Sequence, residues 1–373
     1  MSGFPEIVGV SRIKSTQGII GHSSSMKQRL RVEGTFFSGK GEGAFFTQLD
    51  WVEQQLDDSI GFRPYPGTVN LKIKSEDFSL MQHIRDQGKR LIPPDRRFCE
   101  ARVLRADIGN VPAAAIFPAE DVWIYEDVLE LVAPVGVRDA LGLRDGDVVT
   151  VHLERVFEPK AVVFDADGTL VDFIGFCHDA VNDVFATVGL HPVNRGEVAE
   201  AMKSGLDLWG ELIQDDAFDR DRLISRCQQI WIELFPSLYP KKAYLFPPVA
   251  SVLRTLHERG LRLGVLAGMS DVAGQVDEIL ERAGIRGLFD TVMAEYDAIH
   301  PEAADQLIKC CRQLQVDPRD SVFVTDAPSD IRVGKAVRAA TIGVLTGVGL
   351  EEEFFEEEAD VVIKDISRLP SVL

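Results

Sequence analysis

Cysteine is scarce, and none of it stands where a bond or a metal would require it. Cys99, Cys177, Cys227, Cys310 and Cys311 form no CxxC pair and no Cys/His zinc spacing. Reduced, mostly buried thiols are expected, as in a cytoplasmic protein. Cations are also short: 40 Lys and Arg stand against 59 Asp and Glu, a formal net charge of −19. That deficit argues against non-specific binding to nucleic acid or to an anionic membrane, because both need a basic surface. It leaves phosphorylated small molecules open, since one Mg²⁺ or a few local cations reverse the potential within a single pocket. No stretch reaches the roughly 18 apolar residues of a membrane helix. The opening MSGFPEIVGVSRIKSTQ lacks the apolar core of a signal peptide. No GxxxxGK[ST] occurs, so a Walker-type nucleotide loop is absent.

What is present suffices for two domains. A chain of 373 residues with 45% hydrophobic content can fill two independent cores. Residues 1–28 are polar, with HSSSMKQ at their end, and predict a flexible arm. Residues 29–157 read as short strands with two short helices: RLRVEGTFF alternates, RPYPGTVNLKIK is a turn feeding a strand, and a closing strand follows an Asp-Gly turn in LRDGDVVTVHLER. That texture predicts a small β-barrel. Past a linker at Glu158-Pro159 the pattern switches. Residues 160–373 begin with a buried-strand run, AVVF, continue as a helical block over about 173–247, and end in helix–strand alternation. The prediction is a doubly wound α/β domain carrying a helical insertion. The run EEEFFEEEAD at 351–360 predicts a solvated surface stretch.

Carboxylates mark the second domain. Asp165 follows a buried strand directly, which puts it in the crevice at the strand's carboxyl end. Asp167 stands two residues on, before Gly168. Two acids on one tight turn can share a Mg²⁺ yet do different work, one as nucleophile on phosphorus and one carrying the leaving group's proton. Asp326 and Asp330 follow a second apolar strand, SVFVT, and adjacent parallel strands would bring them to the same metal. The runs DADGTLVD and TDAPSD resemble the first and fourth motifs of the haloacid-dehalogenase superfamily, and the likeness extends over about 160–373. The resemblance implies Asp165 as a nucleophile forming an aspartyl-phosphate and Asp167 as general acid/base. It implies Asp165, Asp326 and the Asp167 backbone as Mg²⁺ ligands, with Asp330 beside them, and the helical block as a cap that excludes water. An acid at position 167 points to phosphate esters rather than haloacids. Two positions depart from the family. Ala267 stands where a phosphate-holding Thr or Ser is usual, with Ser270 a little beyond, and His300-Pro301 stands where Lys-Pro is usual. A histidinium at 300 would supply part of the missing charge.

The first domain carries glycine. SGKGEGAFF places Gly39, Gly41 and Gly43 around Lys40, Glu42 and Ala44, which lets backbone amides approach a phosphate. In RPYPGTVNLKI a Pro-Gly turn presents Thr68 and Asn70 on one strand face, where their oxygens could complete a Mg²⁺ shell. With LELVAPVGVRDALGLRDGD, these runs resemble the archaeal-type CTP-dependent riboflavin kinases over about 30–156. The resemblance implies a β-barrel that moves a phosphoryl group from CTP to riboflavin, giving FMN. It assigns Gly39–Ala44 and Val135, Gly136, Val137 and Arg138 to the nucleotide, Thr68 and Asn70 to Mg²⁺, and Glu130 to the flavin side. Glu130 is also the candidate base for the ribityl hydroxyl. A Thr usual upstream of this Glu is missing from VWIYED, where Trp123 and Tyr125 offer rings instead.

The sequence therefore predicts a bifunctional flavin enzyme: a CTP-dependent riboflavin kinase joined to a phosphatase whose substrate could be FMN. Two alternatives stand beside it. In one the α/β domain is a non-catalytic regulatory module, as Ala267 and His300 suggest. In the other it is a phosphatase for an unrelated small ester and the barrel only binds.

Overall fold

The computed structural model describes residues 26–39, 41, 43–95, 97–119, 127–204, 207–213, 219–268, 274–294 and 302–373. The amino-terminal half contains strands β1 (Met26–Phe37), β2 (Val69–Ile73), β3 (Lys89–Leu91), β4 (Ala101–Ile108), β5 (Val111–Pro118), β6 (Val128–Val132) and β7 (Val148–Phe157). They run antiparallel in the order β3-β4-β5-β6-β2-β1-β7, and a further β4–β7 pairing closes the ring, with β3 on its margin. Closure removes the open edges that an antiparallel sheet would otherwise expose. Alternate residues of each strand point inward, and Leu30, Val32, Leu71, Ile108, Leu131, Val151 and Leu153 fill the interior.

β1 begins at Met26, three residues before the predicted domain boundary at 29, and pairs with β7 from Met26↔Phe157 onward. The early start was hidden because one inward position, Gln28, is polar. It is 1% exposed and its Oε1 accepts Arg155 Nε at 2.7 Å. Of the arm read over residues 1–28, only 26–28 are described, and residues 1–25 lie outside the described residues.

The carboxy-terminal half is a parallel six-stranded sheet, with β8 (Ala161–Asp165), β9 (Arg262–Leu266), β10 (Thr291–Met293), β11 (Ser321–Thr325), β12 (Ala340–Val344) and β13 (Val361–Ile363) in the order β10-β9-β8-β11-β12-β13. β8, β11 and β12 are buried along their whole length, which is why their sequences are mostly apolar. Chain order reverses between β8 and β11, so a crevice opens at their carboxyl ends. Between β8 and β9 the helices Phe173–Val188, Arg195–Lys203, Leu208–Leu212 and Arg220–Lys242 form the predicted helical block. They have a small core of their own around Val184, Phe185, Trp209 and Cys227. The acidic run at 351–360 is not wholly solvated. It forms the helix Glu351–Glu356, anchored by the fully buried Phe354. A Cβ at Gly343 would stand 2.6 Å from the Phe354 ring, so the anchor needs that glycine. No helix among the described residues is long and apolar enough to cross a membrane.

The halves are packed together through polar contacts. Arg155 is 2% exposed, lies 4.7 Å over the Phe157 ring, and donates to Gln28 and to the carbonyl of Arg319. Burial pulls its pKa down to about 10. Asp320 meets His83 at 2.9 Å, Arg319 donates to the Ser79 carbonyl at 2.8 Å, and Arg338 pairs with Asp77. Arg155→Ala would leave buried acceptors without their donor. It should lower unfolding free energy by about 3 kcal/mol, read as an earlier first transition in urea.

Candidate functional sites

The barrel bears two adjoining pockets, of about 540 and 300 Å³, that share Phe37, Ser38, Gly39, Pro66, Gly67 and Thr68. The larger adds Gly41, Gly43, Ala44, Asn70 and Glu130. The smaller adds Val135, Gly136, Val137, Arg138 and Tyr65. The sheet register explains the grouping. Asn70 on β2 pairs with Phe37 of β1 on one side and with Glu130 of β6 on the other. Thr68 ends the turn just before β2.

The glycines have a second role, beyond exposing amides. A Cβ on Gly43 would stand 2.5 Å from Thr68 Oγ1, and one on Gly39 would stand 2.4 Å from Asn70 Nδ2. They let the loop lie against the two side chains. Gly41 differs: it meets nothing within 4 Å but has φ +83°, a left-handed conformation that favours glycine. Lys40 and Glu42, like Trp123 and Tyr125, lie outside the described residues.

Arg138 is held by groups that sequence reasoning did not single out. It lies 5.2 Å over the Phe36 ring, donates to Asp145 Oδ1 at 2.5 Å, and bonds Ser38 Oγ. Ser38 gives its own N–H to Asp145 at 3.1 Å and its hydroxyl at 2.6 Å. These bonds, led by that from Ser38, hold the Asp145 carboxyl below the usual range. Asp145 thus ties the start of the glycine run to the Val137–Leu141 helix. The available signal was an arginine that needed a partner. Glu130 differs again, because burial alone raises its carboxyl. A carboxylate with raised proton affinity beside an open pocket is suited to take a proton.

In the α/β domain Asp165 ends β8, and Asp326 follows β11, whose Val324 pairs with Phe164 of β8. The two carboxyls are hydrogen-bonded to each other. Burial first, then the charges of Asp326, Asp330 and Asp167, raise Asp165 far above the carboxylate range. Burial also raises Asp326, against the opposing bonds from the Val348 N–H at 3.0 Å and Thr169 Oγ1 at 3.2 Å. Gly168 and Gly347 pack against Asp326, where a Cβ would come to 2.3 and 1.8 Å of its carboxylate.

The other two acids are engaged elsewhere. Thr325 Oγ1 donates to Asp330 at 2.6 Å, and Tyr239 donates to Asp167. Ala267 is fully buried just past β9 and has no hydroxyl to offer. Ser270 and His300 lie outside the described residues. Among the described residues no three His, Cys, Asp or Glu side chains are grouped so as to hold a metal by themselves. Asp165 and Asp326 nonetheless fit Mg²⁺, which typically takes one or two carboxylates and keeps its other positions for water and phosphate. A cation between two buried acids would relieve their mutual repulsion.

Comparisons with known proteins agree with this division. A family model for CTP-dependent riboflavin kinases, described as a domain of unknown function, DUF120, matches residues 36–153. The haloacid dehalogenase-like hydrolase model matches residues 159–338. A riboflavin kinase of Methanobrevibacter smithii is 33% identical over 124 residues, which are 33% of this chain and 99% of that one. One of Archaeoglobus fulgidus is 34% identical over 33% of this chain and 54% of its own length, and one of Pyrobaculum arsenaticum 37% over 33% and 60%. The chain thus spans little more than half of those two relatives. A haloacid dehalogenase-like hydrolase from Streptococcus pneumoniae aligns at 17% identity and TM-score 0.43, covering 57% of this chain and 97% of that one. Residues 36–153 belong to the CTP-dependent riboflavin kinase family, and they are joined to a second part whose residues 159–338 match the haloacid dehalogenase-like hydrolase model.

Proposed function

We propose that the chain makes FMN with one domain and hydrolyses a phosphate monoester, FMN foremost, with the other. The observation that carries the kinase reading is the pair of contiguous barrel pockets, with Thr68 where they meet and Asn70 beside it in the larger. CTP fits the smaller pocket, over Gly136 and Arg138, and its phosphates reach the glycine loop. Riboflavin fits the larger, with its ribityl hydroxyl toward Glu130. Thr68 and Asn70 would hold Mg²⁺, which supplies charge neutralisation to the transferring phosphoryl group. Glu130 accepts the ribityl proton as the hydroxyl oxygen attacks the terminal phosphorus.

In the second domain Asp165 attacks phosphorus, and Asp167 protonates the departing alcohol and later deprotonates the water that hydrolyses the aspartyl-phosphate. Asp165 and Asp326, with Asp167 and Asp330 around them, would hold Mg²⁺. Joining the two activities in one chain raises their mutual concentration, which favours related substrates. The second reading, a regulatory α/β module, is favoured by the buried Ala267, since a phosphate there lacks the usual hydroxyl.

The test supplies riboflavin, Mg²⁺ and either CTP or ATP and follows FMN, then supplies FMN alone and follows phosphate. FMN from CTP and phosphate from FMN support both activities. Phosphate release from none of a panel of esters favours the regulatory module.

Glu130 adds a pH prediction. Its carboxyl is raised by burial, so the base form is lost at a higher pH than for an ordinary glutamate. The acidic limb of the kinase kcat/KM profile should therefore lie above the usual glutamate range. Glu130→Gln should remove that limb and lower the rate about 10²-fold. A variant of near-full rate would show that another group takes the proton.

A further inference from the structure

Tyr239 connects the cap to the acidic turn. It lies in the last turns of the helix Arg220–Lys242, is wholly buried, and its hydroxyl donates to Asp167 Oδ1. Aromatic rings fix it in place. Phe235 stacks on it at 5.3 Å and 11°, while Phe176 and Phe173 meet it edge-on at 5.1 and 6.0 Å.

The helix end itself is seated on the α/β core. Pro240 has no N–H to give the carbonyl of Pro236 four residues back. That carbonyl accepts Gln275 Nε2 at 3.2 Å instead. Arg282 donates to the carbonyls of Pro240 and Ala243. The returning chain then runs beside the motif loop, with Asp172 N–H on the Tyr244 carbonyl at 2.9 Å and Phe246 N–H on that of Leu170 at 3.0 Å.

We propose that Tyr239 is the positioning residue for Asp167, so that the acid/base is aligned only while the cap's long helix is seated. This rests on the phosphatase reading of the domain. The terminal torsion of an aspartate has a broad preference, and one bond to a rigid buried donor selects the plane of its carboxyl. Displacing a reacting group by about 1 Å can cost about 10²-fold in rate. The cost falls on the steps in which Asp167 moves a proton, departure of the alcohol and attack of water, and only the first of them enters kcat/KM.

Tyr239→Phe keeps the ring stack and deletes the hydroxyl. An alkyl phosphate needs its leaving oxygen protonated, whereas p-nitrophenyl phosphate departs as a stable phenolate. Their kcat/KM values, which report through formation of the aspartyl-phosphate, separate positioning from packing. The variant should lose about 30-fold on the alkyl ester and less than about 3-fold on p-nitrophenyl phosphate. Phe235→Leu, which disturbs the same stack without touching the hydroxyl, should lower both alike. Retained hydrolysis of p-nitrophenyl phosphate checks that the α/β domain of Tyr239→Phe is folded, and unchanged FMN synthesis checks the barrel. Equal losses on both esters in Tyr239→Phe, or no loss on either, overturn the proposal. Wild-type protein that hydrolyses neither ester overturns the phosphatase reading and this proposal together, an outcome distinct from the others.

Discussion

Asp165→Asn should abolish phosphate release, by a factor of about 10⁴ or more, while leaving FMN synthesis within about 2-fold of wild type. The first effect follows from chemistry, because an amide nitrogen engaged in resonance does not attack phosphorus as a carboxylate does. The second follows from the fold, because Asp165 belongs to the parallel sheet and, among the described residues, no barrel strand pairs with that sheet. The same substitution should have a stability signature. Burial and the neighbouring acids raise the Asp165 carboxyl in the folded state. For such a group ionisation opposes folding, and the penalty grows as pH rises above the unfolded value. The Asn variant should therefore melt higher than wild type at neutral pH without Mg²⁺, and added Mg²⁺ should narrow the gap. Phosphate release that survives Asp165→Asn would remove Asp165 as nucleophile.

Gly43→Val should cut FMN formation about 10²-fold or more and leave the α/β domain's activity unchanged. The backbone at Gly43 is not left-handed, so a side chain there is not excluded by its φ. The cost comes from contact: the new Cβ would stand 2.5 Å from Thr68 Oγ1 and 2.8 Å from Cγ2. Either Thr68 turns away from the junction of the pockets or the loop lifts. Gly41→Ala is the matching control. It meets nothing within 4 Å and bears only left-handed strain, of about 1 kcal/mol. A large loss at Gly43 with a small one at Gly41 would locate the loop's role in its contact with Thr68. Equal losses would point to backbone conformation instead. Both are read from initial rates of FMN formation at saturating riboflavin.

These contrasts also show what could be read from the chain alone. Asp165 and Asp326 were legible because each stands at the end of a strand buried on both faces, and such strands are mostly apolar. The glycine run and the Pro-Gly turn before Thr68 were legible for the same local reason. Their contact was not, since Gly43 and Thr68 meet only once the barrel is folded. Asp145 gave no local sign of its bond to Ser38, 107 positions away. Tyr239 stands 72 residues from Asp167 in a helix that reads as ordinary cap. Of the prolines beside it, one frees a carbonyl that pins the helix end. Gln28 hid the start of β1 because its amide is buried against Arg155, a pairing invisible without the opposite strand. The barrel–α/β contacts were hidden likewise, since Arg155 and Arg319 are 164 positions apart.

Transfer of a labelled γ-phosphate from CTP to riboflavin by the Asp165→Asn chain tests the central claim most directly, because the silenced second domain cannot remove the product. Label accumulating in FMN with CTP, and lost in Gly43→Val, is the result predicted. No labelled FMN from CTP, ATP or any other nucleoside triphosphate would contradict it.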